Sequence, residues 1–186
     1  MPDHFPSPPL WPRLNSESGP HIPLFGVRLD LLTNPRTGEL LQRLVLETPD
    51  WVNTVAITPE NRVVLVRQFR FGIGKITTEI PGGIVDPGET SGEAARRELL
   101  EETGYTSEDW AYLGAVEANP ATQNNLCHHW VARGVVKVNE PELGEGEDIV
   151  VLDMSVDEIK LEIREERLLH FLALSALARV FDLWRD

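Results

Sequence analysis

Three carboxylates come close together in one short stretch of the sequence, GGIVDPGETSGEAARRELLEETGY at residues 82–105. If this stretch ends in a helix, Glu98, Glu101 and Glu102 fall within an arc of about 100°, because each residue advances a helix by about 100°. Like charges at these spacings repel and weaken a helix. A hard divalent cation, Mg²⁺ or Mn²⁺, prefers oxygen ligands and would remove the repulsion. Geometry alone leaves two interpretations open, a metal site or a solvated acidic helix face.

A helix must carry these carboxylates, and the sequence marks both of its ends. Thr90, followed three residues later by Glu93, has the spacing of a capping box, and Gly104 stands where helices commonly terminate. Arg97 can reach Glu101 at i+4 and hold it in place. The glycines ahead of the helix allow close backbone approach. We therefore expect a glycine-rich loop and then a helix that presents the glutamates on one face.

The rest of the chain predicts strands around this helix and a second helical region. Residues 1–23 contain seven of the 14 prolines, which predicts an irregular arm. The segment at about 24–50 has the pattern of a hairpin, and no linker interrupts 24–186, so we expect a single domain there. SVDE (155–158) has the spacing of a second capping box, and residues 165–184 predict a long, buried C-terminal helix.

Composition limits the classes of partner. The formal net charge of −13 disfavours general binding to nucleic acid phosphates. Cys127 is the only cysteine, so no intrachain disulfide is expected. The apolar stretch at 168–181 is too short to span a bilayer, and the first residues lack the pattern of a signal peptide. We expect a cytoplasmic protein with no membrane partner. If an acidic chain of this kind binds a phosphorylated substrate, it needs divalent cations or a few arginines at the binding site.

The order of residues in the glycine–glutamate stretch resembles the Nudix hydrolase box. Gly83 is followed after five residues by Glu89, and after seven more by RELLEETGY (97–105). The resemblance implies an α/β fold, an α/β/α sandwich with a mixed sheet, joined by a small N-terminal antiparallel sheet. It also implies hydrolysis of a nucleoside diphosphate linked to another moiety, with Mg²⁺ (or Mn²⁺) as cofactor. Glu89 matches the box residue that supports metal binding or the start of the helix.

The same resemblance assigns roles within the helix by position. Glu98 and Glu102 would be the principal metal ligands. Glu101 and the carbonyl of Gly82 would complete the set. Arg97 would act in catalysis by orienting a glutamate.

Further motifs are similar to the branch of ADP-ribose pyrophosphatases and nucleoside-diphosphate-sugar hydrolases. These are VRQFR (66–70), TEIPGG (78–83) and EANPATQNN, in which Pro120 follows the box at the spacing typical of that branch. In that branch the arginine matching Arg70 contacts the phosphate side of the substrate, and the glutamate matching Glu79 lies near the metals. A guanidinium fork suits phosphate oxygens. An ordinary solvent-facing strand position remains the alternative for each of the two residues.

A glutamate on a later loop typically activates the attacking water in these enzymes. The segment ELGEGEDIVV (142–151) matches that loop, with Glu147 as the better fit and Glu145 as the alternate. Glu147 would orient a water, acidified by the metal, for in-line attack on one phosphorus. A flexible acidic loop without a catalytic role is the other interpretation.

Substrate and assembly are less closely defined. Trp51 begins a strand and could stack on a base, although tryptophans are more commonly core residues. Related enzymes exchange N-terminal sheets in a homodimer, and the predicted hairpin agrees with that arrangement.

The expected substrate is ADP-ribose or a related nucleoside diphosphate sugar. The alternatives are a Nudix enzyme for dinucleoside polyphosphates, GDP-sugars, NADH or FAD, and a non-catalytic nucleotide sensor.

Overall fold

The computed structural model describes residues 9–19, 22 and 25–185, which form two compact units. The first comprises the described part of Met1–Thr48 together with Asn119–Asn125. The second comprises Pro49–Ala118 and the described part of Leu126–Asp186. The single domain expected over 24–186 stays a prediction.

The first unit contains a three-stranded antiparallel sheet in the order β1-β2-β3. Its strands are β1 (Arg13–Ser18), β2 (Gly26–Thr33) and β3 (Leu40–Glu47). Strands β2 and β3 confirm the predicted hairpin, whose turn is closed by a bond of 2.9 Å from the Asn34 amide to the Glu39 carbonyl.

Strand β1 corrects the expectation of an irregular arm at 1–23, because residues 13–18 are paired to β2. All six β1 residues are exposed, so the strand has no apolar alternation that a sequence pattern could reveal. Its anchor is the buried Asp30 on β2, which accepts hydrogen bonds from Ser16 Oγ at 2.6 Å and from Arg13 at 3.3 Å. Residues 1–8, 20, 21 and 23 of the predicted arm lie outside the described residues.

The second unit is built on a mixed six-stranded sheet in the order β11-β5-β4-β9-β8, with β6 also paired to β5. Strands β4 and β9 run parallel, and the other pairs are antiparallel. A separate pair joins β7 to β10. The strands are β4 (Trp51–Ile57), β5 (Val63–Arg70), β6 (Lys75–Glu79), β7 (Tyr105–Thr106), β8 (Asp109–Glu117), β9 (Leu126–Arg133), β10 (Val136–Lys137) and β11 (Ile149–Met154).

Helices cover both faces of this sheet. They are α1 (Ser91–Thr103), α2 (Val156–Arg164) and α3 (Phe171–Leu177). Alternate strand residues point to opposite faces, so Ala56 and Val64 pack with Leu99 of α1, while Val55 packs with Ile159 of α2. The predicted α/β/α sandwich with a mixed sheet is confirmed. None of the helices in the described part of the chain is long and apolar enough to cross a bilayer.

The long C-terminal helix predicted at 165–184 is wrong in extent. Within this range only Phe171–Leu177 is helical. Helix α2 ends at Arg164, and Glu166 has a left-handed φ of 58°, which cannot continue the helix. The extended residues after it bring Leu168 into the core at 0% exposure. Tertiary burial of Leu168 therefore overrides the local helical pattern. The predicted burial is confirmed for α3, where Leu172 and Leu177 lie in the core.

Candidate active site

Helix α1 begins and ends where the sequence predicts. Thr90 is the N-cap, and its hydroxyl accepts the Glu93 amide while the Glu93 carboxylate accepts the Thr90 amide at 2.8 Å. Gly104 ends the helix in the left-handed conformation (φ 73°), where a Cβ would overlap the Asn139 carbonyl. Leu99 is fully buried against the sheet, and this contact fixes the rotation of the helix. Glu98 and Glu102 consequently face the loop that contains Gly82 and Gly83, and Glu101 contacts Arg97.

Glu102 is buried, with 4% of its surface exposed, and it accepts a hydrogen bond of 2.9 Å from the Gly82 amide. Burial raises the pKa of Glu102 to about 8, and the charges of Glu98 and Glu147 act in the same direction. A carboxylate in this position needs either a proton or a cation. The Gly82 backbone thus lies beside Glu102 through its amide N–H, and the predicted role of the Gly82 carbonyl as a metal ligand stays a prediction.

Glu98 lies against the second glycine of the loop. A Cβ on Gly83 would overlap the Glu98 carboxylate, and a Cβ on Gly82 would overlap the Val52 carbonyl. At Gly82 the overlap is with backbone, so that position requires glycine, whereas at Gly83 either the loop or the Glu98 side chain would have to move. The Glu98 side chain is 13% exposed, and burial raises its pKa. The partly buried Glu98 and the buried Glu102 therefore act on each other electrostatically, and the charge of Glu98 helps to raise the pKa of Glu102.

Arg97 connects the remaining box residues. Its Nε and one terminal nitrogen bind the two oxygens of Glu89 at 3.0 and 2.9 Å. Its other terminal nitrogen lies 2.8 Å from Glu98 and 3.1 Å from Glu101, which confirms the predicted i,i+4 contact. The terminal nitrogen that binds Glu89 also donates to the Ile84 carbonyl at 2.9 Å. The guanidinium therefore fixes the loop and two glutamates relative to one another.

The donor set has the chemistry that a divalent cation requires. In the part of the chain that the structure describes, no three His, Cys, Asp or Glu side chains are arranged as a group that could hold a metal ion. Arg97 binds Glu98 and Glu101, and Glu102 faces the Gly82 amide. All available donors are oxygens, and the buried Glu102 has a carboxylate that a cation would stabilise. These residues fit a bound Mg²⁺ or Mn²⁺.

Arg70 and Glu79 form a second polar group on the β5–β6 hairpin. Arg70 Nε and a terminal nitrogen bind the two Glu79 oxygens at 2.7 and 2.6 Å. Glu79 is 1% exposed, so the alternative of a solvent-facing strand position is wrong for this residue. Burial acts to raise the pKa of Glu79, but Arg70, His170 and Thr77 outweigh it and hold the pKa below its usual value. The Arg70 side chain remains 43% exposed.

Glu147 lies on the loop before β11. The residue is exposed, and its carboxylate accepts the Gly144 amide at 2.9 Å. Its charge contributes to the raised pKa values of Glu98 and Glu102 and of the Arg70 guanidinium, so the loop brings this carboxylate into the field of the site. Glu145 is exposed on the same loop. The catalytic role of either residue stays a prediction.

Trp51 lies beside the glycine loop. It is half-buried at the start of β4, where it pairs with Cys127 and forms a bridge to Ile84. Stacking of this indole on a base stays a prediction.

The sequence prediction missed His170. Its Nε2 lies 3.6 Å from Glu79 Oε2, at the point where α3 begins. The sequence signal was misleading because the predicted helix at 165–184 placed His170 in a helix interior. Only the break after α2 brings it to the sheet.

A cavity of about 690 Å³ lies elsewhere in the second unit, between the β5–β6 hairpin and the segment after α2. Arg67, Lys75 and Leu169 are among its lining residues, and none of the α1 glutamates is. Concavity alone therefore does not identify the site, whereas buried carboxylates and close glycine contacts do.

Comparison with known proteins agrees with this geometry. The family model described as "NUDIX domain" matches residues 49–174, well over half of the chain. The chain belongs to the Nudix family. It is an enzyme, a Nudix hydrolase that is similar to ADP-ribose pyrophosphatases.

Individual relatives are about one third identical to this chain over the residues that align. It is 35% identical over 132 residues to the "Methanol dehydrogenase activator" of Bacillus methanolicus, covering 70% of this chain and 71% of the relative. It is 30% identical over 131 residues to the "ADP-ribose pyrophosphatase" of Bacillus subtilis (strain 168), covering 70% of each. A solved structure described as "Crystal structure of ADP compounds hydrolase" superposes with a TM-score of 0.80 over 95% of both chains at 24% identity, which shows the fold.

Proposed function

We propose that this enzyme hydrolyses the diphosphate bond of ADP-ribose or a related nucleoside diphosphate sugar, giving a nucleoside monophosphate and a sugar phosphate. The observation that carries the proposal is the pair formed by the buried Glu102 and the partly buried Glu98 on α1, set against Gly82 and Gly83. Relatives named ADP-ribose pyrophosphatase support the substrate class.

Different residues would bind the metal ion and the substrate. Glu98, Glu101 and Glu102 would hold Mg²⁺ or Mn²⁺, which when bound supplies charge neutralisation of the diphosphate and acidification of water. Arg97, held by Glu89, binds Glu98 and Glu101 directly and fixes their positions. Arg70 presents an exposed guanidinium, and Glu79 fixes its orientation from below. Together these groups reconcile a chain of net charge −13 with an anionic substrate.

The reaction requires one proton acceptor. The water oxygen forms a new bond to one phosphorus while the bond from that phosphorus to the bridging oxygen breaks. Glu147 would accept the proton of the water, with Glu145 as the alternate. The half-buried Trp51 would contact the base.

A substrate panel tests the proposal. The full chain with Mg²⁺ is assayed against ADP-ribose, ADP-glucose, GDP-mannose, NADH, FAD and diadenosine tetraphosphate, with products resolved by chromatography. We expect the highest kcat/KM with ADP-ribose or another nucleoside diphosphate sugar. A preference for a dinucleotide or a dinucleoside polyphosphate would contradict the substrate assignment while leaving the Nudix chemistry in place.

We also propose that the enzyme is a homodimer that exchanges its N-terminal sheets. The observation behind it is the three-stranded sheet of the first unit, which corresponds to the element that related enzymes exchange. The molar mass in solution, measured by light scattering, should be twice that of the 20.9 kDa chain. A mass of one chain would contradict the dimer.

A further inference from the structure

Glu79 is the buried support of Arg70. Its carboxylate is 1% exposed and accepts two hydrogen bonds from Arg70 and one from Thr77 Oγ1. A bidentate pair of this kind fixes the plane of the guanidinium. The direction in which Arg70 points therefore depends on what holds Glu79.

His170 also faces Glu79. Its Nε2 lies 3.6 Å from Glu79 Oε2, the oxygen that binds the terminal nitrogen of Arg70 at 2.6 Å. His170 occupies the N-cap position of α3, yet its side chain makes no capping hydrogen bond there. Its Nδ1 is buried and has no hydrogen-bond partner among the described residues. The imidazole is thus placed against Glu79 at the expense of local hydrogen bonding.

The backbone around His170 is arranged to produce this placement. The left-handed Glu166 and the fully buried Leu168 end α2 and direct the chain toward β6 before α3 begins. Burial lowers the pKa of His170, so a neutral imidazole meets Glu79 near pH 7 and leaves the negative charge of Glu79 to Arg70. A cation in its place would compete with Arg70 for the same oxygen.

We propose that His170 is a positioning residue, which fixes the Glu79 carboxylate and through it the Arg70 guanidinium that binds the phosphate side of the substrate. This inference rests on the proposed function, since it assigns Arg70 to substrate binding. It adds a third residue, from the segment between α2 and α3, to the pair on the β5–β6 hairpin.

Two substitutions separate positioning from helix capping. Asparagine is a preferred N-cap residue, so His170→Asn should keep or raise the melting temperature while removing the contact with Glu79. Glutamine reaches further, and its amide can occupy the place of Nε2. We expect His170→Asn to raise the KM for the panel's best substrate by about five- to tenfold with kcat within about twofold, as loss of ground-state binding requires. We expect His170→Gln to restore most of the loss.

A double-mutant cycle tests whether His170 affects substrate binding through Arg70. In an Arg70→Ala background, His170→Asn should change KM by less than about twofold, because the residue it positions is gone. His128→Asn, at a histidine on β9 that contacts Asp50, is the matched control and should leave kinetics unchanged. An equal effect of His170→Asn in both backgrounds, or a fall in kcat without a rise in KM, would overturn the proposal.

A readout without turnover distinguishes failure of this inference from failure of the proposed function. The ¹³Cε1–¹Hε1 resonance of His170, at fixed pH, should shift in Glu79→Gln relative to the wild type. If no nucleoside diphosphate sugar is hydrolysed, the substrate assignment fails, and the cycle is run with whichever compound of the panel is turned over. An unmoved resonance in Glu79→Gln would show that the contact does not exist and would end the proposal.

Discussion

The Glu102 carboxylate accepts a hydrogen bond of 2.9 Å from the Gly82 amide, which joins the last turn of α1 to the start of the glycine loop. Both partners are almost inaccessible, and the resulting burial is what raises the pKa of Glu102 to about 8. A buried acid with a neutral donor is poorly stabilised as an anion. The proposed function therefore implies a preference for a cation over a proton at this point.

Replacing Glu102 tests that preference directly. In Glu102→Gln the amide oxygen can still accept the Gly82 N–H, so the fold is retained, but the anionic ligand is lost. We expect kcat/KM with Mg²⁺ to fall by at least about 100-fold, with the melting temperature within a few degrees of the wild type. Glu60→Gln, at an exposed turn residue, is the control. Wild-type turnover in Glu102→Gln would refute the metal site.

The glycine loop gives a second prediction. In Gly83→Ala the new Cβ overlaps the Glu98 carboxylate, so either the loop or Glu98 must move. We expect the Mg²⁺ concentration for half-maximal rate to rise by about tenfold or more. Gly72→Ala provides the matched control, because a Cβ there meets nothing within 4 Å. Equal metal dependence in the two variants would show that the close approach is not needed.

Local signals in the sequence account for most of helix α1. The capping box at Thr90 and the terminating Gly104 act within a few residues of themselves, and the structure confirms both. The Arg97–Glu101 contact is also local, at i,i+4. Features of this kind are predictable because they depend on nearest neighbours along one helix.

The features that the sequence did not predict depend on distant parts of the chain. Strand β1 is polar and exposed, and its pairing is stabilised by the buried Asp30 of β2. The break after α2 follows from burial of Leu168, and the contact of His170 with Glu79 follows from that break. No periodicity in a single segment could reveal these long-range constraints.

The two glutamates of the loop before β11 can be separated by paired substitutions. We expect Glu147→Gln to lower kcat by about 10²–10⁴-fold, the range for loss of a general base, and Glu145→Gln to stay within about twofold. The reason is electrostatic, since the charge of Glu147 acts on Glu98 and Glu102. Single-turnover rates at saturating Mg²⁺ provide the measurement. The reverse pattern would assign the proton acceptor to Glu145.

Acid stability is the last prediction, and it concerns His129 in the core of β9. This residue is 0% exposed, and its Nε2 lies 3.2 Å from Ser175 Oγ. Burial lowers the pKa of His129 to about 4, and the charges of Arg179 and His128 act in the same direction. Since the unfolded chain binds this proton from pH 6.5 downward, the free energy of unfolding should fall as the pH drops from about 6.5 to 4. The loss should amount to about 2–3 kcal/mol.

A comparison of two histidine variants isolates this contribution. His129→Gln keeps an amide that can face Ser175 but cannot take up a proton, so its unfolding free energy should depend less on pH between 6.5 and 4. His128→Gln, at the adjacent residue on the other face of β9, should retain most of the wild-type slope, because burial, the largest cause of the lowered pKa of His129, is unchanged. Urea unfolding at half-unit pH intervals provides the measurement. A slope in His129→Gln equal to that of the wild type would mean that other groups cause the acid instability.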